Sequence, residues 1–398
     1  MSQTYPIDGV RLATAAAGIK YTDRQDVVLI EIAEGANTAA VFTRNAFCAA
    51  PVTVAKTHLQ KNQPRYLLIN SGNANAGTGE QGFIDAQQTC QSLAEAANCE
   101  ANQVLPFSTG VIGQTLPIAK LTAAMPVLID ALHADHWDAA AKAIMTTDTV
   151  PKLVSQSLEV NGQAITITGM AKGSGMIRPD MATMLSYVAT DAAVDASLLN
   201  DCLQEAVKPS FNSISVDGDT STNDACVLIA TGKGSASFSS KEDQGYSEFA
   251  TAVKAVCMQL ARMIVLDGEG ATKLISIYVE EALSETEARE VAFTIAHSPL
   301  VKTAFFASDP NWGRILAAVG RAGVEDLQID QIQIYLDDVC IVEHGGVAKS
   351  YTEEQGQAVM DQDEITVKVV LNRGQAKTRV LTCDFSYDYV KINAEYRT

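Results

Sequence analysis

The sequence predicts a mixed α/β fold, and two patterns carry that prediction. Short runs rich in Val, Leu and Ile, at residues 27–32 and 66–70, have the length and composition of buried strands. Longer runs have apolar residues at helical spacing, most clearly residues 246–266, where Phe249 and Leu260 fall on one face. Strands and helices do not alternate regularly, which argues against a doubly wound parallel sheet.

The other elements follow the same two patterns along the chain. We predict further helices at 119–145, with a break near Asp135, and at 197–207, and further strands at 164–168, 274–279 and 332–336. A loop rich in Gly and Asn, residues 71–79, lacks the lysine and the spacing of a P-loop, so we interpret it as a tight turn beside the active site. No Pro- or Ser-rich linker divides the chain.

Composition and charge restrict the partners. The chain has 398 residues, of which 47% are hydrophobic and 19% charged, and its formal net charge is -18. An acidic surface repels nucleic acid and anionic membranes, so we expect neither as a partner. The eight cysteines are scattered singly, and the first ten residues lack the pattern of a signal peptide, which predicts reduced thiols and a cytoplasmic location.

The most informative segment is residues 172–185, a glycine-rich turn followed by Met-Ala-Thr-Met-Leu. An internal threonine is a weak nucleophile. If the bond between Ala182 and Thr183 is cut, Thr183 gains an α-amino group with an unperturbed pKa of about 7.7–8.0. That amine can take the proton of its own hydroxyl, as in threonine–N-terminal-amine catalysis. The structural alternative is a loop followed by a buried apolar segment.

Four segments together resemble the glutamate N-acetyltransferase, or ornithine acetyltransferase, family. They are the Met-Ala-Thr-Met-Leu run, Ser-Thr-Gly-Val-Ile-Gly at 108–113, Asp-Pro-Asn-Trp-Gly-Arg at 309–314 and Asn-Ala-Glu-Tyr-Arg-Thr at 393–398. They occur in the family's order and spread over most of the chain. We interpret Trp312 and Arg314 of the third segment as structural or interfacial rather than catalytic.

The resemblance implies an α/β architecture of stacked helix and sheet layers, like that of the related aminopeptidases. It also implies that the chain cuts itself into an alpha fragment, 1–182, and a beta fragment, 183–398, which intertwine as one catalytic unit. Two fragments of each kind would assemble into a heterotetramer.

The resemblance further implies an acetyltransferase of arginine biosynthesis. Acetyl passes from N2-acetyl-L-ornithine to Thr183, ornithine leaves, and acetyl is transferred to L-glutamate. No metal or organic cofactor is implied. Some members also use acetyl-CoA as donor, and the sequence does not decide whether this chain is bifunctional in that way.

The family pattern carries over to catalytic residues in the first half of the chain. Thr109 and Gly110 match an oxyanion hole, in which the hydroxyl and a backbone amide stabilise a developing negative charge. Lys172 lines the substrate site, where it can bind a carboxylate or keep the Thr183 amine neutral by repulsion. The structural alternatives are a glycine turn and a surface lysine.

Substrate-binding residues are implied elsewhere in the chain. Glu269, after the predicted helix 246–266, suits the δ-ammonium of ornithine, with Asp267 as its rival and a helix-end turn as the structural alternative. Thr146 is chosen ahead of Thr147 in the Thr-Thr-Asp run, which otherwise is a polar turn. The implied substrate contacts near the C-terminus are Asn393 and Thr398.

Two other functions remain open from the sequence. An N-terminal-nucleophile amidase or aminopeptidase of related fold would use water as acceptor in place of glutamate. An acidic scaffold protein would remain a single uncut chain.

Overall fold

The computed structural model describes residues 4–178 and 184–395, and within these ranges the chain forms eighteen strands and twelve helices. The strands are β1 (Val10–Ala15), β2 (Val27–Ile32), β3 (Asn37–Phe42), β4 (Tyr66–Asn73), β5 (Val104–Val111), β6 (Lys152–Val160), β7 (Gln163–Lys172), β8 (Leu185–Thr190), β9 (Ala193–Val194), β10 (Ile214–Ser215), β11 (Ala225–Ala230), β12 (Ser237–Phe238), β13 (Leu274–Ala282), β14 (Gln333–Leu336), β15 (Val339–Glu343), β16 (Gly346–Val347), β17 (Glu364–Val370) and β18 (Ala376–Cys383). The helices are α1 (Ala50–Lys61), α2 (Gly79–Ala97), α3 (Ile118–Ala123), α4 (Met125–Asp130), α5 (Trp137–Ala143), α6 (Ala196–Val207), α7 (Tyr246–Leu266), α8 (Glu285–Ala296), α9 (Pro299–Phe306), α10 (Trp312–Gly320), α11 (Glu353–Met360) and α12 (Tyr387–Ala394).

The chain divides into two compact units that each use separate stretches of sequence. Unit 1 consists of residues 1–173, 179–212 and 220–264, and unit 2 of residues 174–178, 213–219 and 265–398. Neither unit ends at the predicted fragment boundary between residues 182 and 183, and that boundary stays a prediction.

Unit 1 contains two large sheets. The first has the strand order β1-β2-β4-β5, in which β4 and β5 are parallel and the other neighbours antiparallel. The second has the order β3-β11-β8-β7-β6, in which β8 and β11 are parallel and the other neighbours antiparallel. Strands β9 and β12 form a short parallel pair.

Strand β2 explains how these sheets stack. Its sequence, Val-Val-Leu-Ile-Glu-Ile, is apolar on both faces, as in strands that are covered on both sides. Ile30 joins a core cluster with Tyr187 and Val227 of the second sheet. Leu29, on the opposite face, belongs to a cluster with Leu93 of α2. The first sheet therefore lies between the second sheet and a layer of helices.

Helix α7 covers the opposite face of the second sheet. A Cβ at Gly169 in β7 would lie 3.1 Å from Leu260 and 3.3 Å from Val256, so the missing side chain lets the helix approach closely. Among the described residues, α7 alone has the length and hydropathy of a membrane span, and half of that stretch is buried, as in the core helix of a globular protein. Unit 1 thus has helix, sheet, sheet and helix layers, which confirms the predicted layered α/β architecture.

Unit 2 is built on one mixed sheet with the strand order β10-β18-β13-β17-β14-β15-β16. Its core combines Ile277 of this sheet with Val291 of α8 and Val319 of α10. Helix α10 begins at the Asp-Pro-Asn-Trp-Gly-Arg motif, where the Oδ1 atom of Asn311 accepts a hydrogen bond from the backbone amide of Arg314 at 3.1 Å. In this unit the motif starts a helix.

Candidate active site

The predicted site residues fall into three groups. Unit 1 contains Thr109, Gly110, Thr146 and Lys172. Unit 2 contains Glu269 and Asn393. The residues outside the described ranges are Ala182, Thr183 and Thr398.

Gly110 lies near the end of β5, where this strand comes very close to β4. Its φ of +132° is a backbone conformation that favours glycine. A Cβ at this position would lie 2.3 Å from the backbone carbon of Gly72 and 2.6 Å from the amide nitrogen of Asn73. The pairing of β4 with β5 also shifts register between these two residues. The close approach of β4 therefore requires glycine at position 110, whether or not the residue also contacts a ligand.

Lys172 ends β7 and is buried, with 8% of its surface exposed, so the surface alternative is wrong. Its Nζ atom donates a hydrogen bond to Oγ1 of Thr109 at 3.2 Å. An ammonium group is a donor only, so the Thr109 oxygen is the acceptor in this bond. The hydroxyl hydrogen of Thr109 then remains available for another acceptor, beside the ammonium charge of Lys172.

Asp148 organises the turn that carries Thr146, and sequence reasoning did not assign it a role. Its carboxylate accepts from Lys152 Nζ at 2.7 Å, from the Gly173 amide at 2.7 Å and from the Thr146 amide at 3.0 Å. Burial acts to raise the pKa of Asp148, but the charges of Lys172 and Lys152 outweigh it and lower the pKa to about 2. The buried carboxylate of Asp148 therefore fixes two turns. One follows β7 and begins at Gly173, and the other contains Thr146 and Asp148 itself.

Asn223 ties the two sheets of unit 1 together next to the Thr109–Gly110 pair. Its Nδ2 atom donates to the carbonyl of Ser108 at 2.9 Å and to the carbonyl of Ala74 at 2.6 Å. Side-chain amides that bridge two buried carbonyls fix the distance between the segments that carry them. Sequence reasoning missed this residue, because an Asn between a polar turn and a strand is usually a local turn residue.

Glu269 and Asn393 meet in unit 2, although 124 residues separate them in the sequence. Glu269 follows α7 and is 6% exposed, and its Oε2 atom accepts a hydrogen bond from Asn393 Nδ2 at 2.9 Å. The Glu269 amide donates to the Ser174 carbonyl at 3.1 Å. A Cβ at Gly175 would lie 2.4 Å from atoms of the Glu269 carboxylate, so the glycine-rich turn makes room for this anion.

Asp217 holds the segment that leads toward residue 179. Its carboxylate accepts from the amides of Met176 at 2.6 Å and Ile177 at 2.9 Å. Met176 has a φ of +56°, a left-handed conformation that is costly for a side chain of this type. The backbone of Val216 donates to the Ile177 carbonyl at 2.7 Å. The chain is thus fixed at Met176 and Ile177, with Met176 in a left-handed conformation.

His297, which is half-buried, pairs with the buried Ser215 in the same unit. His297 Nε2 lies 2.9 Å from Ser215 Oγ, which also contacts the carbonyl of Ile177 at 3.1 Å. The pKa of His297 is lowered to about 4. Burial is the largest cause, and the positive charges of Arg178 and two other cations of this unit add to it. A neutral imidazole near pH 7 suits a supporting hydrogen bond in the scaffold.

Comparison with known proteins shows the family of this chain. The family model of the ArgJ family matches residues 11–398. The chain belongs to the ArgJ family. Curated ArgJ family relatives include the arginine biosynthesis bifunctional protein ArgJ of Methylococcus capsulatus, 60% identical over 393 residues that cover 99% of this chain and 96% of the relative. The protein of the same name from Psychrobacter arcticus is 55% identical, with coverage of 99% and 97%.

A solved structure of the ArgJ family also matches. The crystal structure of the arginine biosynthesis bifunctional protein ArgJ from Bacillus halodurans is 39% identical and has a TM-score of 0.51. The match covers 53% of this chain and 99% of the crystallised chain.

Membership of the ArgJ family confirms three predictions from the sequence: the family itself, the mixed α/β fold, and an acetyltransferase of arginine biosynthesis that acts on small molecules. The roles of individual site residues and the fragment boundary stay predictions.

Proposed function

We propose that this chain transfers acetyl from N2-acetyl-L-ornithine to L-glutamate through an acetyl ester on Thr183. The observation that carries the proposal is the buried contact between Lys172 and Thr109 next to Gly110, in a chain of the ArgJ family. It combines a fixed positive charge with a hydroxyl hydrogen that is free to stabilise an oxyanion. Donor and acceptor share an amino-acid backbone, so both can use the same recognition groups in turn.

Self-cleavage between Ala182 and Thr183 precedes this reaction. The cut creates the α-amino group that serves as base for the Thr183 hydroxyl. The match to the Bacillus halodurans chain supports a division near the middle of the sequence, because that chain is covered over 99% of its length yet spans 53% of this one. The products are the fragments 1–182 and 183–398.

The Thr109 hydroxyl and the Gly110 amide form the oxyanion hole. In both half-reactions the carbonyl oxygen of the acetyl group gains negative charge, which two fixed donors in a dry site stabilise strongly. Two buried side chains hold the segments around these donors. The carboxylate of Asp148 accepts from the Gly173 amide, and the side chain of Asn223 donates to the Ser108 carbonyl. The Lys172 charge also disfavours protonation of the Thr183 amine.

Glu269 recognises the δ-ammonium of ornithine. A buried carboxylate held by Asn393 is a preorganised anion, which suits a primary ammonium group. Lys172 binds the substrate carboxylate, and Thr146 and Thr398 supply further polar contacts.

The proposal also includes the cellular location, the assembly of the fragments and a second activity. The enzyme works in the cytoplasm, as two alpha and two beta fragments. The word bifunctional in the names of its relatives favours a second activity, acetyl transfer from acetyl-CoA to glutamate. An assay with acetyl-CoA plus glutamate beside acetylornithine plus glutamate separates the one-function type from the two-function type.

Glutamate and acetylornithine are expected to follow ping-pong kinetics, because acetyl remains on the enzyme between the two substrates. Acetylornithine alone should release ornithine and leave an acetyl group on fragment 183–398, detectable by mass spectrometry, and glutamate should remove it. Water as the final acceptor would instead give free acetate and identify the amidase alternative. Intersecting double-reciprocal lines without an acetylated fragment would rule out the covalent intermediate.

The pH profile is expected to fall on the acid side. The Thr183 amine must be neutral to take the hydroxyl proton, and an ordinary α-amino group titrates at about 7.7–8.0. The positive charge of Lys172 lowers that pKa, so the midpoint of kcat/KM should lie at or below this value. A Lys172→Met variant should shift the midpoint upward; an unchanged midpoint would contradict the assigned electrostatic role.

Replacement of Gly175 by alanine is expected to raise KM for acetylornithine by about tenfold to a hundredfold. The new Cβ would displace the Glu269 carboxylate, and a charge-assisted hydrogen bond contributes roughly 1.5–3 kcal/mol. Gly346→Ala is the matched control, because a Cβ there meets open space in the same unit. Equal KM values for the two variants would argue against substrate recognition by Glu269.

A further inference from the structure

Asp384 is a buried carboxylate of unit 2 that has no part in the transfer reaction proposed above. It directly follows β18 and is fully buried. Its Oδ1 atom accepts hydrogen bonds from the amides of Thr272 and Lys273, both at 2.8 Å, and its Oδ2 atom accepts from the Thr272 hydroxyl at 2.6 Å. Hydrogen bonds to a charged acceptor are strong, and these three use both carboxylate oxygens. Asp384 therefore holds the loop between α7 and β13, residues 267–273, against the end of β18.

The same loop carries Glu269, the residue proposed to recognise the δ-ammonium of ornithine. Ser386, two residues after Asp384, donates its hydroxyl to the carbonyl of Gly270 at 2.6 Å. Asn393 of α12 donates to the Glu269 carboxylate at 2.9 Å. Together with the bonds of Asp384, these contacts attach the loop to the chain that follows β18 along most of the stretch that begins at Glu269.

The residues on both sides of Asp384 are held by Lys302, whose side chain is also buried. The Nζ atom of Lys302 donates to Oγ1 of Thr382 at 3.0 Å and to the carbonyl of Cys383. The amide of Phe385 donates to the Lys302 carbonyl at 3.2 Å, and Nζ lies 4.4 Å from the centre of the Phe385 ring. Asp384 is thus held in place by its neighbours before it binds the loop.

A carboxylate that recognises an ammonium group works best when it is in position before the substrate arrives. Among the described residues, Asn393 alone donates a hydrogen bond to the Glu269 carboxylate. The position of this carboxylate therefore depends on the backbone of its loop. A misplacement of about 1 Å at a binding group can cost about a hundredfold in rate, even when its cause lies away from the reacting atoms.

We propose that Asp384 is a positioning residue for recognition of the acetyl donor, because it fixes the loop that presents Glu269 to the δ-ammonium of N2-acetyl-L-ornithine. This role rests on the proposed function of Glu269. The acceptor, L-glutamate, ends in a carboxylate where ornithine ends in an ammonium group, so it makes no ion pair with Glu269. Asp384 therefore affects use of the donor and not use of the acceptor.

Replacement of Asp384 by asparagine is expected to lower kcat/KM for acetylornithine by about tenfold to a hundredfold. The amide keeps one acceptor oxygen and turns an NH2 group toward donors of the loop, so the loop loses its fixed position. In a ping-pong reaction kcat/KM for each substrate reports on its own half-reaction, and the value for glutamate should change little. A smaller amount of folded enzyme would instead lower both values alike.

Asp337→Asn is the matched control in the same unit. The Asp337 carboxylate also accepts from a backbone amide, that of Thr366 at 2.8 Å, and from the side chain of Gln362 at 3.3 Å. These bonds hold the turn between β14 and β15 and not the loop that carries Glu269. Asp337→Asn should leave both kcat/KM values unchanged.

Thr272→Val is the second variant, and it decides the question if Asp384→Asn does not fold. Thr272 is exposed, so valine is tolerated there, and the change removes only the hydroxyl that donates to Asp384. The kcat/KM for acetylornithine should fall by about threefold to tenfold, the usual effect of losing one hydrogen bond. The value for glutamate should again change little.

Glu269→Gln separates the role of Asp384 from the function on which it rests. If Glu269→Gln leaves kcat/KM for acetylornithine unchanged, recognition by Glu269 is wrong, and the role of Asp384 is overturned with it. If Glu269→Gln lowers this value but Asp384→Asn and Thr272→Val do not, or if they lower the values for both substrates in parallel, the role of Asp384 is overturned and the function of Glu269 stands.

Discussion

Replacement of Thr183 by alanine is expected to leave the chain uncut and the enzyme inactive. The Thr183 hydroxyl attacks the preceding carbonyl during self-cleavage, and later it carries the acetyl group. Its loss therefore removes both reactions at once. A denaturing gel should show one band in place of the fragments 1–182 and 183–398, and no acetyl transfer should be detectable.

Thr183→Ser is the control, because it retains a hydroxyl at the same position and should still cut and transfer acetyl, at a lower rate. A Thr183→Ala protein that is cut would contradict self-cleavage and point to an external protease. A Thr183→Ala protein that is uncut but still transfers acetyl would remove the covalent intermediate from the mechanism.

The periodic elements of this fold could be predicted from the sequence. The predicted strand 27–32 and the predicted helix 246–266 coincide with β2 and α7. The break near Asp135 is also confirmed, since residues 131–136 separate α4 from α5. In each of these segments the spacing of apolar residues in the sequence matches the pattern of buried positions, so local information was sufficient to predict the element.

The extent of one predicted strand was wrong. Residues 71–73 were predicted as loop, yet they belong to β4. Gly72 and two asparagines resemble a turn in sequence, but Gly72 pairs with Gly110 of β5. The partner strand, which local composition does not reveal, extends β4 as far as Asn73.

The candidate site likewise contains some residues that could be predicted from the sequence and others that could not. The resemblance implies substrate binding for both Glu269 and Asn393, and the structure shows a hydrogen bond of 2.9 Å between their side chains; their role stays a prediction. Asp148 and Asn223 escaped notice because acids and amides near turns are normally solvated or capping residues. Their burial is a tertiary property, and only the packing of two sheets makes these polar groups exceptional.

Replacement of Thr109 by valine is expected to lower kcat by about a hundredfold to a thousandfold, the usual effect of losing one oxyanion donor. Valine has nearly the same shape as threonine but no hydroxyl. Because the Thr109 oxygen already accepts from Lys172, its hydrogen is free for the oxyanion, and valine removes that donor. KM should change little, since the negative charge develops only in the transition state.

Thr109→Ser retains the hydroxyl and should keep most of the activity, which separates the donor from the packing of the methyl group. Valine also deprives the buried ammonium of Lys172 of one acceptor, so thermal unfolding of both variants must be measured alongside the kinetics. A fall in kcat with a folded enzyme and an unchanged KM supports the oxyanion hole. A raised KM with unchanged kcat would instead make Thr109 a substrate-binding residue, and the stabilising charge would then have to come from the Gly110 amide and Lys172.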